Sequence, residues 1–368
     1  MDPVRLALVG GFLGSGKTTT LIRLARMLQQ RGVSAAIITN DQAAGMVDTC
    51  RVEAAGVLCA EIAGGCFCCK FDSLVDAAQR LIVSCAPQII LAEPVGSCTD
   101  VRATVAYPMH QRCGATFQLA PLVVMVDPLR ASQDVDGTTP FAPDVAYIFE
   151  RQMEEADVLV LSKADLLVPA EAERLRSALA ARHPHARVMT ASNITGDGAD
   201  ELLEIITGRS LGLSHFMDVD YDRYAAGEAR LGWLNASAVA TPMEGDAALD
   251  NDVLARELCR SIQRELRDHR AEVAHLKVSL VTEHGVTAAS VTGSAGAPAM
   301  TERAVAPCAS ADVTINVRAE AEPAVLERSV RRSCDTVRAA RLQLGPLDAF
   351  QPGRPRPTHR VVRTARPA

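Results

Sequence analysis

Apolar and polar positions along the first two hundred residues lay out a run of alternating strands and helices. Val4 to Val9 is a short continuous apolar stretch, as expected of a strand buried on both faces, and Leu21, Ile22, Leu24, Ala25 and Leu28 then recur at helical spacing. Arg31-Gly32 closes that helix, and Val33 to Thr39 forms a second strand ending at Asn40-Asp41. Leu74, Val75, Ala78, Leu81 and Ile82 mark a helix, Gln88 to Ala92 a strand ending at Glu93-Pro94-Val95-Gly96, and Pro121 to Val126 a strand ending at Asp127. After a loop over Asp134 to Thr139, Phe141 to Ala156 has helical character and Val158 to Leu161 is a strand. Ala170 to Arg182 is a helix opened by Pro169, Arg187 to Thr190 a strand and Asp197 to Ile206 a helix. Repeated strand and helix predicts an α/β fold with a doubly wound, mostly parallel sheet.

The periodicity lapses from Leu211 to Trp233, an acidic and aromatic stretch expected to act as a connector. Beyond it the pattern predicts strands over Leu234 to Ala240 and Leu276 to Thr282, a turn at Glu283-His284-Gly285, and strands over Ala288 to Thr292 and Val313 to Val317. Helices are expected over Val253 to His269 and Pro323 to Leu342, with a flexible loop over Gly293 to Ser310. The expected organisation is thus a first domain over 1–210, a connector over 211–233, a smaller C-terminal α+β domain over 234–345 and a proline- and arginine-rich tail over 346–368.

A hydrophobic fraction of 48% with 22% charged residues describes a soluble globular chain, and 368 residues suffice for two domains. A net charge of −6 argues against broad nucleic-acid binding. Arg354, Arg356, Arg360, Arg363 and Arg366 make the closing residues locally basic, and a solvated tail is expected there. No segment approaches membrane-spanning length and no basic leader precedes an apolar run, so the expected compartment is cytoplasmic. There the 11 cysteines stay reduced, and a cluster of them points to metal or redox chemistry.

Gly11-Phe12-Leu13-Gly14-Ser15-Gly16-Lys17-Thr18, followed by Thr19, is a complete P-loop at a strand-to-helix junction, the context this motif requires. Its glycines let backbone N–H groups point at phosphates, and the helix N-terminus adds partial positive charge. Lys17, taken as a solvent-facing charge, is expected to reach the β- and γ-phosphates, and Thr18 to ligate Mg2+. Asp41 and Glu93 end strands at the sheet edge where ligands bind, suited to holding Mg2+ through water or orienting the attacking water.

Two further motifs narrow the class. Ser162-Lys163-Ala164-Asp165 resembles the guanine-reading motif of GTPases, with Asp165 accepting from guanine N1 and N2 and the Lys163 stem lying along the base. Ser162 stands where asparagine is usual and lacks one amide contact. Thr190-Ala191-Ser192 is placed to contact the base. Gly64-Gly65-Cys66-Phe67-Cys68-Cys69 packs three thiols into four residues between the second strand and the next helix, a soft donor set suited to Zn2+, Co2+ or Cu(I) with one coordination position open. Cys85, Cys113, Cys259 and Cys334 are expected in the core. His183 and His185 are expected to be solvent-exposed, and His215 lies in the connector near Asp218 and Asp220.

With the P-loop, Asn40-Asp41, Gly-Cys-x-Cys-Cys, Glu93-x-x-Gly96 and Ser162-Lys163-x-Asp165 in this order, the chain resembles the CobW-like GTPases, grouped with the urease and hydrogenase maturation GTPases. The resemblance covers residues 4–210 through specific motifs, and residues 234–345 only through α+β character. It implies slow GTP hydrolysis coupled to metal binding, a client metalloprotein or corrinoid protein, and often a homodimer. Many CobW-like zinc carriers place glutamates just after the asparagine, whereas this chain has Asn40-Asp41-Gln42-Ala43-Ala44. The Trp233 region and Pro352-Gly353-Arg354-Pro355 look like those of CobW-like proteins found with corrinoid methyltransfer systems. The expected function is a GTP hydrolase that carries zinc or cobalt as a metallochaperone or cofactor-maintenance protein. The alternatives are a nucleotide-responsive metal storage or sensing module, and a P-loop kinase, which the lack of an arginine-rich lid stretch disfavours.

Overall fold

The computed structural model describes residues 3–41, 47–208, 210–211, 217–245 and 247–362. His215, Gln42, Ala43, Ala44, Arg363 and Arg366 lie outside the described residues. The elements run β1 (Val4–Gly10), α1 (Lys17–Gln30), β2 (Ala35–Asn40), α2 (Val47–Ala54), β3 (Leu58–Ile62), α3 (Phe71–Cys85), β4 (Ile89–Ala92), α4 (Tyr107–Cys113), β5 (Phe117–Leu119) and β6 (Val123–Val126). They continue with α5 (Pro128–Val135), α6 (Pro143–Glu154), β7 (Val158–Leu161), α7 (Pro169–Arg182), β8 (Arg187–Thr190), α8 (Ala199–Gly208), α9 (Tyr221–Arg230), β9 (Leu231–Thr241) and α10 (Asn251–Asp268). The last are β10 (Glu272–Thr282), β11 (Gly285–Val291), β12 (Ala299–Glu302), β13 (Ala311–Glu320), α11 (Pro323–Thr336) and β14 (Arg341–Phe350).

The chain forms two compact units, one of 1–44, 55–224 and 355–368, the other of 45–54 and 225–354. The first unit is an eight-stranded sheet in the order β3-β2-β4-β1-β6-β7-β8, with β5 pairing the start of β1. Its pairings are parallel. Central strands β1, β2, β4, β6 and β7 bury almost every side chain, which is why they appear in the sequence as unbroken apolar runs. All their C-terminal ends lie on one edge, so the P-loop, Asn40, Glu93, Asp127 and Ser162 emerge together where α/β sheets bind ligands.

The second unit is an antiparallel sheet in the order β12-β11-β10-β13-β9-β14, with α10 and α11 packed on it. Leu254, Leu258, Ile262 and Leu266 of α10 join Leu326 and Val330 of α11 over the inward-facing residues of β9, β10 and β13. Trp233 is fully buried in β9, stacked on Phe350 with the Arg318 guanidinium 4.1 Å from its ring centre. Segment 45–54 belongs here as well, since Lys277 pairs with Asp48 and Arg51 with Glu302 at 2.7 Å. Lys277 and Arg51 hold the Asp48 carboxyl well below its ordinary value against the opposing effect of burial.

Several expectations are corrected. The connector is not irregular throughout, because α9 occupies Tyr221–Arg230 and β9 begins at Leu231. The helix placed over Pro323 to Leu342 stops at Thr336, and Arg341–Phe350 pairs with β9 as an edge strand. The loop from Gly293 to Ser310 contains β12, and the one over 134–139 starts inside α5. Cys259 and Cys334 are core thiols, which burial pushes up to about 12 and about 11, but Cys85 and Cys113 are only half-buried. Among the described residues no helix is long and apolar enough to cross a membrane.

Candidate functional site

Gly11 opens the P-loop with φ +128, and a Cβ there would stand 2.3 Å from the Met125 carbonyl oxygen of β6, so only glycine allows this approach. Gly14 and Gly16 also have positive φ, and Gly16 is the residue before α1. Ser15 donates its N–H to Phe12 O at 3.2 Å, curling the loop, and Thr19 lies half-buried in the first turn of α1. Lys17 is not solvent-facing as expected. It is 9% exposed, and its Nζ donates to Gly11 O at 2.8 Å and Phe12 O at 3.2 Å, held by the loop's own carbonyls.

Thr18 and Glu93 meet. The Thr18 hydroxyl donates to Glu93 Oε1 at 3.0 Å, with both residues buried, which puts a hydroxyl and a carboxylate side by side as hard cations require. Asp41 is half-buried at the end of β2, its N–H donating to Ile62 O at 3.1 Å. Across the sheet, Ser162 is buried with its hydroxyl on Val126 O at 3.0 Å. Lys163, at φ +51, pairs through Nζ with Asp127 Oδ2 at 2.6 Å. Asp165 accepts from the Ser192 hydroxyl at 2.5 Å, so the two short motifs at the ends of β7 and β8 come together. Asp127, which also caps α5 by accepting from Leu129 and Arg130 N–H, is a participant that sequence patterning did not single out.

The thiols sit in a turn clamped by Asn40. Its Nδ2 donates to Ile62 O at 2.9 Å and Gly65 O at 2.7 Å, while its Oδ1 accepts from Phe67 N–H at 2.9 Å. Cys66 O accepts from Cys69 and Lys70 N–H, and α3 starts one residue later. The three Sγ atoms lie within 4.8 Å of one another, at 2.7 Å for Cys66 and Cys68, 3.4 Å for Cys66 and Cys69, and 3.8 Å for Cys68 and Cys69. Bonds of about 2.3 Å to a tetrahedral zinc put sulfurs about 3.8 Å apart, so the donor set suits a thiophilic ion. Hydrogen bonds from Cys66 and Cys69, with burial, raise the Cys68 thiol well above its ordinary pKa, and the Cys66 contact raises Cys69. Metal entry therefore has to displace protons.

Two features went unnoticed in the sequence. Cys98, buried in the loop after β4, brings its Sγ to 3.9 Å from Cys68 Sγ. The tail is not simply solvated either, because residues 355–362 return to the thiol turn. Arg356 N–H donates to Cys69 Sγ at 3.2 Å, and Thr358 donates its N–H to Cys68 O at 2.9 Å and its hydroxyl to Cys69 O at 3.1 Å. His359 packs edge-on against Phe71, and Arg360 pairs at 2.7 Å with Asp100, which also accepts from Tyr221. Burial raises Asp100 above the usual carboxylate range against the pull of Arg360 and Tyr221. His183 also departs from expectation. It is buried and depressed to about 4 by desolvation, while His185 is exposed.

The family described as CobW/HypB/UreG, nucleotide-binding domain, matches residues 5–190. The zinc chaperone YjiA of Escherichia coli K12 is 27% identical over 199 residues, covering 52% of this chain and 59% of that protein. The zinc chaperone CobW of Pseudomonas aeruginosa PAO1 is 26% identical over 212 residues, covering 51% and 56%. The chain thus spans between half and three-fifths of the length of these curated relatives. Among solved structures, the Zn(II)-bound YjiA GTPase from E. coli aligns over 92% of this chain and 100% of that one at 18% identity, with a TM-score of 0.40.

Proposed function

The chain belongs to the CobW/HypB/UreG family of nucleotide-binding proteins, and from that premise we propose that it hydrolyses GTP in step with binding or handing over a thiophilic metal ion. Zinc is the first candidate cargo, because curated relatives are zinc chaperones, and cobalt the second. The observation that supports this most is the shared sheet edge: β1 ends in the P-loop, and β2, one strand beyond its neighbour β4, ends in the asparagine that clamps the three thiols.

In this reading Lys17 leaves the carbonyls of Gly11 and Phe12 for the β- and γ-phosphates and stabilises the transferring phosphoryl. Thr18 and Glu93 would hold Mg2+, which would neutralise phosphate charge, and Asp41 would orient the attacking water. Gly11, Gly14, Ser15, Gly16 and Thr19 cradle the phosphates, and Ser162, Lys163 and Asp165 read guanine. Cys66, Cys68 and Cys69 hold the cargo, leaving a position open for a client metalloprotein or corrinoid protein. Purified protein should bind one Zn2+ or Co2+ per chain and turn over GTP slowly, with turnover raised by metal or client. Metal affinity indifferent to nucleotide, with no metal effect on turnover, would make the chain a storage module instead.

A further inference from the structure

We propose that Cys98 is a fourth sulfur ligand of the metal held by Cys66, Cys68 and Cys69, and that the P-loop sets its engagement through the loop Glu93 to Asp100. The inference rests on the reading of the three-thiol cluster as the cargo site and adds the ligand that answers to nucleotide.

The loop has one end at each site. Glu93 accepts from the Thr18 hydroxyl, and Gly96 lies so close under the P-loop that a Cβ on it would stand 2.7 Å from Leu13 Cδ2 and 3.2 Å from Leu13 Cα. Two residues on, Cys98 Sγ is 3.9 Å from Cys68 Sγ, close to the about 3.8 Å spacing of two sulfurs on one tetrahedral ion, though it stands beside the group of three thiols that all lie within 4.8 Å of one another rather than in it. Cys68 is the thiol nearest to both neighbours across the cluster, since Cys66 and Cys98 approach it from different segments. A rotation about the single χ1 bond of Cys98, between staggered wells, moves its sulfur relative to the triad without moving backbone.

The backbone around Cys98 is firmly held. Its N–H donates to Val95 O at 2.8 Å, and its carbonyl accepts from Gln152 Nε2 at 2.8 Å, as does Gly96 O at 3.0 Å. Thr99 N–H reaches Tyr224 Oη at 3.3 Å. With the backbone anchored at Cys98, a shift of Glu93 on nucleotide binding is absorbed over the residues between them and reaches the cluster as a change in the Cys98 χ1 rotamer. Four thiolates close the site for retention, and withdrawal of one reopens it for transfer.

The test is Cys98→Ala, which keeps every backbone hydrogen bond above. Co2+ is titrated into wild type and variant, with and without a non-hydrolysable GTP analogue, and sulfur-to-cobalt charge-transfer absorbance and chelator-competition affinity are read. In the four-sulfur state the variant should lose about a quarter of the wild-type absorbance, one thiolate in four. The wild-type affinity should change at least about fivefold with nucleotide and that of the variant by less than about twofold. Unchanged absorbance overturns the proposal, and so does a full nucleotide response in the variant. Replacing Cys66, Cys68 and Cys69 with alanine separates the two readings. If that variant keeps the metal, the cargo-site reading itself fails; if it loses the metal while Cys98→Ala behaves as wild type, only the present inference fails.

Discussion

Replacing Asn40 with alanine removes three hydrogen bonds at once, those to Ile62 O, Gly65 O and Phe67 N–H, all at 2.7 to 2.9 Å. Asn40 is 6% exposed, so water cannot readily take its place. At about 0.5–1.5 kcal/mol net for each bond, the loss totals about 1.5–4.5 kcal/mol. How it divides depends on when the turn becomes ordered. If the thiol turn is fully formed without metal, the loss appears in unfolding free energy; if metal completes the ordering, it appears in affinity, at about 1.4 kcal/mol per tenfold. Urea denaturation of the metal-free protein and Zn2+ competition with a chelator measure the two parts, and their sum should fall in that range with GTP affinity kept. Asn40→Asp should be no better than alanine, since its acceptor keeps Phe67 N–H but a second oxygen now faces the Ile62 and Gly65 carbonyls. If Asn40→Ala loses less than about 1 kcal/mol in both measurements together, the clamp does not organise the thiols.

Lys17→Ala should nearly abolish hydrolysis while circular dichroism and unfolding remain close to wild type, because its bonds are to loop carbonyls at the sheet edge; wild-type turnover would sink the P-loop assignment. Calorimetry should show GTP bound more tightly than ATP through Asp165, and equal affinities would mean that Asp165 engaged with Ser192 does not read the base. Glu155, raised to about 8 mainly by burial, holds its proton in the folded state and loses it in the unfolded chain from about pH 4.5 upward. Stability should therefore fall between those values, by about 1.4 kcal/mol per pKa unit, and Glu155→Gln should flatten that slope; an unchanged slope in urea melts at pH 5 and 8.5 would exclude Glu155 as its source.

The first unit was legible because its central strands are buried on both faces and its motifs sit at strand ends, where a short sequence window carries both signals. What was missed depends on neighbours far away in sequence. Strand β3 is half-exposed at the sheet edge, and its short apolar run is broken by Glu61 before Ile62. Strand β14 was missed because the expected helix ran on to Leu342 and the residues from 346 were given to the tail; a bulge between Leu344 and Leu347 breaks the alternation that would have marked a strand. Segment 45–54 joins the second unit through Asp48 and Arg51, whose partners come more than two hundred residues later. Lys17 looked exposed because no local signal says that a loop will fold its carbonyls around its own cation. Cys98, alone in its window, carried no spacing signal at all.

The bond from Arg356 N–H to Cys69 Sγ joins residues 287 apart in the chain, with residues 225–354 of the second unit made in between. At the usual 5–20 residues per second of synthesis, Cys69 precedes its cover by roughly 15–60 s. The thiol turn is thus born uncovered, in a nascent chain whose P-loop, Asn40 clamp and Cys98 loop have already been made. Segment 355–362 then acts as a late seal, and an ion captured during translation is already in place when the seal arrives.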